Sequence, residues 1–333
     1  MPYFQGSFER HCLTTGAPSH LAVFTATSSI LIMISNIPGN LLVILAVAID
    51  PHKNLRNPFN FLMANLAVAD LVVGTVTCPL SVFFHVKEGL NESLSLLEIR
   101  ALHLSYFISC TASVLSVSTL AVERYLAIAN PHTYRNKVTE KRILLTIGCI
   151  WLISLTLPFV YLEVGFITSA FIFANTSVAA AFGITCLTYT MMIYKFKHLT
   201  RNFGPTATFT NTNTNTNTNS LHPQVASPPD AGQALRDRAA QWEHKITKMF
   251  LVVMIALLCC YGTSTILIYA MSFCESCSCD TLHWFRDLHF LLIILNSSLN
   301  FYCYAVRSPR FQNAFVYILR IPRSRSSRNS GTF

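Results

Sequence analysis

Runs without charge decide what this chain can fold into. Residues 21–49, 101–122, 249–274 and 288–306 contain no Asp, Glu, Lys or Arg, and 57–86 contain only Asp70. Each is long enough to cross a hydrocarbon layer of about 30 Å as one helix of about 20 residues. The 52-residue stretch 143–194, whose single charge is Glu163, is too long for one crossing and fits two, folded back between Glu163 and Phe171. Lipid offers an open backbone no hydrogen-bond partner, and a barrel would show short alternating strands, so these runs are read as helices. The expected fold is all-α: a seven-helix transmembrane bundle with spans at about 21–49, 57–86, 99–129, 143–163, 171–195, 246–273 and 287–306.

Basic residues orient it. With seven spans, 20 of the 24 Lys and Arg fall on one side, and only Arg10, Lys87, Arg100 and Arg286 on the other. The positive-inside rule puts residues 1–20 outside and the C-terminus in the cytoplasm. The formal charge of +9 is then a topology signal and not a nucleic-acid patch. Charged residues make up 12% of the chain, against roughly 25% in soluble domains, which excludes a water-soluble globule. Residues 1–20 hold no apolar leader core, so the first span is expected to target the chain as a multi-pass plasma-membrane protein. Alternating Asn and Thr at 210–220 and the Pro-rich 222–229 predict a disordered third cytoplasmic loop over about 200–235. The polar run 236–248 extends the sixth helix into the cytoplasm. Residues 307–333 are read as an amphipathic helix and a basic Ser/Arg tail beside membrane lipid. Asn91 heads the sequon Asn91-Glu92-Ser93 on the outer side and is the expected glycosylation site. The second sequon, at Asn175, falls in the start of the fifth span.

Polar residues inside spans are expensive and point to function. Asp70 interrupts an apolar run at its middle and needs partners or a cation; Asn40, Ser113, Asn296, Ser297 and Asn300 are the candidates, and Asn296 and Asn300 share a helix face. A neutral hydrogen-bonded network and a cation site both satisfy these residue types. Glu123-Arg124-Tyr125 closes the third span at its inner end, where an arginine can also simply reach to water.

Taken together, Gly39-Asn40 in the first span, NLAVAD ending at Asp70 in the second, ERY at 123–125 in the third, Trp151 in the fourth, Tyr189 in the fifth and NFYCY at 300–304 in the seventh resemble the rhodopsin-like G-protein-coupled receptors. The resemblance covers about residues 24–318. It implies a receptor that transduces binding of an extracellular ligand into activation of a heterotrimeric G protein, with arrestin and receptor kinases as further partners. By motif, Arg124 would contact the G protein, Glu123 would restrain it at rest, and Tyr189 and Tyr304 would support the open state. Asp70, Ser113, Asn296 and Asn300 match the family's sodium pocket, an allosteric ion being the only cofactor expected.

The chain departs from the family pattern at several points. Cys260 stands at the sixth-span Trp, Gly262 at its Pro, Ala181 at the fifth-span Pro and Phe301 at the Pro of the seventh-span motif. Glycine permits a bend without imposing one. The inner acid of the sixth span is displaced, with Trp242 in its place and Glu243 beside it. The disulfide between the third span and the second outer loop is missing, Ile99 standing at its third-span position. Cys12, Cys274, Cys277 and Cys279 face outward, where two disulfides in one of three pairings, or a zinc site with His283, would use them. Cys274–Cys277 and Cys12–Cys279 is the expected pairing.

A short second outer loop and a Cys-rich third look most like the melanocortin branch, and the Cys274-x-x-Cys277 spacing resembles adenosine receptors. Neither ligand transfers. The pocket is expected around Tyr106, Phe107, Cys110, Thr263, Ser264 and Leu267. No Asp near Tyr106 could pair an amine, and no Lys in 288–306 could bear retinal, which disfavours an aminergic receptor or an opsin. An uncharged small molecule, or a peptide resting on Glu88, Glu92 and Glu98, fits these residues. A receptor-like scaffold that does not signal is the alternative, and a transporter a weaker one, since no inverted repeat is visible. The chain has no HExxH, P-loop or Ser/His/Asp constellation, so no enzyme is expected.

Overall fold

The computed structural model describes residues 12, 15–129, 134, 138–202 and 231–319. The chain forms eight helices among these: α1 (Ser19–Ile49), α2 (Pro58–Gly89), α3 (Leu96–Ala129), α4 (Glu140–Val164), α5 (Phe166–Asn202), α6 (Ala231–Phe273), α7 (Cys279–Arg307) and the short α8 (Pro309–Ile318). Six of the described helices are long and apolar enough to cross a membrane. The exception among the long ones is α7, which turns His289, Asn296, Ser297, Ser298 and Asn300 into the interior.

The packing is the reverse of a soluble protein's. Leu31, Ile34, Leu144, Leu145, Leu152 and Ile266 project outward and are exposed, while Thr25, Ser29, Asn36, Asn40, Asp70, Ser113, Ser116, Asn296 and Asn300 are buried. That is the arrangement lipid selects, since apolar side chains cost nothing at a hydrocarbon boundary and polar ones must find partners inside.

Local chemistry explains the breaks. Asn57 caps α2 by accepting from the backbone N–H of Asn60 at 2.9 Å, and Pro58 follows at the first helical position. Within α2 the helix widens to a π-bulge over Val73–Thr77, the turn into which the ring of Pro79 would otherwise press. Pro158 tightens the end of α4 into a 3-10 turn over Leu157–Val160. Gly165 alone joins α4 to α5, at φ 82°, a conformation that favours glycine. The second outer loop is therefore one residue long.

Several helices outrun their expected spans: α7 starts two turns before residue 287, α5 begins at Phe166 rather than 171, and α6 begins at Ala231, inside the stretch read as loop. Residues 203–230, where the rest of that loop was placed, the tail after 319, and the side chains of Trp242 and Glu243 lie outside the described residues. The amphipathic helix expected after 306 is α8, whose Phe311, Ala314 and Phe315 are buried.

Phe301 is accommodated at Gly39. A Cβ built on Gly39 would lie 2.6 Å from the Phe301 ring. Gly39→Ala is accordingly expected to lower the melting temperature of the purified protein, by about 1–3 kcal/mol of overpacking. Adding Phe301→Ala should recover part of the loss, and additive losses in the double variant would refute the contact.

Candidate functional site

At the outer end a cavity of about 510 Å³ opens between α2, α3, α5 and α7, with Thr15 and Gly16 of the N-terminal segment at its rim. Its apolar wall is Phe84, Ile99, Leu102, Phe166, Ile167 and Phe290; its polar wall is His85, Glu88, Glu92, His103, His283, Arg286 and Asp287. The one-residue loop at Gly165 leaves no lid of its own over the opening. Cys12–Cys279 and Cys274–Cys277 are both bonded. The first ties the N-terminal segment to the start of α7, and His283 Nε2 reinforces it, 2.8 Å from the Thr15 carbonyl.

An ion cluster organises the polar wall. The Arg286 guanidinium donates to both Glu88 oxygens at 3.0 and 2.8 Å and to Asp287 Oδ1 at 2.7 Å. It also lies 5.7 Å from the centre of the Phe84 ring. Asp287 Oδ2 accepts from Thr25 at 2.8 Å and faces His85 Nε2 at 3.5 Å. His85 continues to Ser81, whose hydroxyl meets that of Ser29 at 3.1 Å. Three helices, α1, α2 and α7, are thus tied through one carboxylate.

The residues expected to form the pocket lie one layer deeper, and none of them lines this cavity. Tyr106, Phe107 and Cys110 are buried. The Tyr106 hydroxyl meets His289 Nε2 at 3.0 Å, and Ser264 Oγ meets His289 Nδ1 at 2.5 Å, so α3, α6 and α7 are joined through one imidazole. Phe107 packs on Tyr161 and Phe166, filling the space a ligand would otherwise enter. Leu267 is half-buried and Thr263 lies on an exposed face of α6. The floor still borders the cavity, because the Tyr106 ring centre lies 5.6 Å from that of the lining residue Phe290, the two rings tilted to one another.

Sequence reasoning missed His289 and the Arg286–Asp287 pair. A signal was present: residues 283, 286, 287 and 290 are spaced by three and four and share a helix face once α7 is extended back to Cys279.

In the bundle's middle, Asn300 Nδ2 donates to Asp70 Oδ2 at 2.7 Å and Ser113 Oγ to Oδ1 at 3.4 Å. Asn40 Nδ2 donates to the carbonyls of Asn36 and Ser297. The side-chain oxygens of Asn36, Asn40 and Asn296 are buried with no hydrogen-bond partner among the described residues. Buried acceptors are rarely left so, and unclaimed oxygens in the same bundle as a buried carboxylate suit a small hard cation or water.

At the inner end, Arg124 Nε and a terminal nitrogen each donate to Glu123 at 2.6 Å. Tyr134 adds a hydrogen bond to the same carboxylate, and the guanidinium stacks 4.1 Å over Phe59. Both members of the pair are buried, so Arg124 is held against its neighbour and withdrawn from the cytoplasm. Tyr125 is half-buried beside them. The side chains of Tyr189 and Tyr304 lie outside the described residues.

A cavity outside, polar residues in the middle and a restrained arginine inside, all strung along α3, is the layout of a transmembrane signalling bundle. Residues 39–304 match the 7 transmembrane receptor (rhodopsin family). The chain belongs to that family. It is a multi-pass membrane protein of a receptor class and not an enzyme. It is 38% identical to an octopamine receptor of Heliothis virescens over 46% of this chain and 31% of that one. It is 34% identical to dopamine receptor 4 of Caenorhabditis elegans over 38% and 24%. With octopamine receptor beta-2R of Chilo suppressalis the identity is 26%, over 86% and 77%. The chain thus covers less than a third of the length of the first two relatives. These amine receptors correct the expected melanocortin- or adenosine-like branch. That expectation rested on a few local features, the missing third-span disulfide, the short second outer loop, the absent fifth-span Pro and the Cys-rich third outer loop, whereas the similarity to the Heliothis receptor is counted over 155 residues.

Proposed function

We propose that this chain is a plasma-membrane receptor that admits an extracellular ligand to the outer cavity and, on binding it, promotes nucleotide exchange on a heterotrimeric G protein. The observation that carries the reading is the Glu123–Arg124 pair. A buried, bidentate ion pair at the cytoplasmic end of α3 is a two-position element: opening of the inner face frees a guanidinium with five donors for a partner's carbonyls or carboxylates. Arrestin and receptor kinases would engage the same face, and a glycan on Asn91 would stand at the cavity rim, where that residue is exposed.

Sodium fits the middle site. Asp70 supplies the charge, with Ser113 and the unclaimed Asn296 oxygen as neutral ligands, and Asn300 orients the carboxylate. An ion held there would favour the closed arrangement of α2, α3 and α7.

The test is coupling in cells that carry a panel of G-protein dissociation sensors. Ligand-free signal from the wild type should fall to the background of untransfected cells in Arg124→Ala at equal surface expression. A signal that persists in Arg124→Ala would refute the assignment.

A further inference from the structure

We infer that the outer cavity recognises a cationic ligand, a protonated amine or guanidinium, through Glu88 and Glu92 on its α2 side, with the apolar part of the ligand against Phe84, Phe166 and Phe290. The inference rests on the receptor reading, and it names the ligand class and the charged subsite.

Three observations converge. The cavity, about 510 Å³, lies within the range of small-molecule sites and combines an aromatic wall with a few polar groups on one side. Among the described residues its ionised lining is unbalanced: Glu88, Glu92 and Asp287 face a single cation, Arg286. A concave, low-dielectric wall with excess negative charge concentrates cations and repels anions. The wall also already demonstrates its own selectivity. It holds the Arg286 guanidinium between two carboxylates, near the Phe84 ring, which is how a ligand cation would be held.

Arg286 consumes Asp287 and one lone pair on each Glu88 oxygen, but a carboxylate oxygen can accept more than once. Glu92 has no side-chain hydrogen bond among the described residues and is exposed at the rim. An ammonium entering there meets Glu92 first and then Glu88. The third helix lines the cavity with Ile99, Leu102 and His103 but brings no carboxylate to it, and Tyr106 is buried beneath with its hydroxyl committed to His289. That places the charge contact at the outer end of α2 and in the turn after it, and it reconciles the amine names of the relatives with an outer half of α3, from residue 101 on, that carries no acid.

The experiment is thermal melting of the purified full chain with three probes of one shape, tyramine, tyrosol and 4-hydroxyphenylacetate, at matched ionic strength. Tyramine should raise the melting temperature saturably, and the neutral alcohol and the acid should not. Glu92→Gln should weaken the apparent tyramine affinity about tenfold, and Glu92→Lys should abolish the shift. Glu92 is exposed and makes no side-chain hydrogen bond among the described residues, so these variants remain interpretable. Equal shifts from tyramine and tyrosol, a shift from the acid alone, no shift from any probe, or unchanged tyramine affinity in both Glu92 variants would each overturn the inference. The two readings fail separately. Ligand-free coupling that Arg124→Ala removes, with no tyramine shift, leaves a receptor without this subsite. A Glu92-dependent shift in a chain silent to every G protein leaves the subsite without the receptor.

Discussion

Arg286→Ala is expected to cost the fold about 3 kcal/mol, a larger loss than truncating an ordinary outer-surface residue. The reason is what the arginine leaves behind. Asp287 is 1% exposed and Arg286 16%, so the substitution strands a carboxylate that water cannot reach, while Glu88, at 11%, has some freedom to turn outward. Thr25 and His85 remain as partners for Asp287, which keeps the cost at the lower end of the range for breaking a buried pair. The measurement is a melting series in detergent across four proteins: wild type, Arg286→Ala, Asp287→Asn and the double variant. Asp287→Asn should restore part of the stability lost in Arg286→Ala, because the double variant removes the charge at the fully buried position and leaves only Glu88, which can turn outward. A double variant less stable than Arg286→Ala would mean that the guanidinium acts by filling space and not by compensating charge. Loss of α7 anchoring should also loosen the cavity wall, since Arg286 and Asp287 form part of it.

The bundle was legible because charge-free runs are a strong signal with a single physical cause. Seven long helices follow from the same cost of an unpaired peptide group in lipid that explains their outward-facing leucines. The helix ends were less legible. α7 runs back to Cys279 because Arg286 and Asp287 neutralise one another along one face, something a count of charges reads as a boundary. The same misplacement hid the outer ion cluster, and with it the cavity. The aromatic residues Tyr106 and Phe107 were visible as candidates by type and spacing, but spacing does not reveal that His289 would claim one and Phe166 cover the other. His289 itself, a single polar residue in an apolar run, carries no periodic signal.

The departures from the family pattern are absorbed differently. Phe301 fits because Gly39 opposite it has no side chain. At Gly262 α6 continues without a break, and an added Cβ would meet nothing within 4 Å, so nothing there requires glycine for packing. With Cys260 where the family carries its sixth-span Trp, α3, α6 and α7 are linked through Tyr106, His289 and Ser264. That link borders the cavity, since Phe290 lines it and its ring centre lies 5.6 Å from that of Tyr106.

The second large effect is expected at Asp70. In wild type, raising sodium at constant ionic strength against a bulky cation such as choline should raise the melting temperature. A ligand that binds only the folded state at ten times its Kd contributes about 1.4 kcal/mol. Asp70→Asn should flatten that series completely, since the neutral amide supplies no charge to offset dehydration of the ion. The sign in the absence of sodium separates this from simple damage. Asp70 is fully buried, with Asn300 and Ser113 as neutral partners. An ionised carboxylate there is costly without its counter-ion, so the sodium-free Asn variant should melt at or above the sodium-free wild type. A wild type that ignores sodium would refute the ion site. An Asn variant that melts well below wild type in choline would instead assign Asp70 a structural hydrogen-bonding role, with Asn300 Nδ2 losing its acceptor.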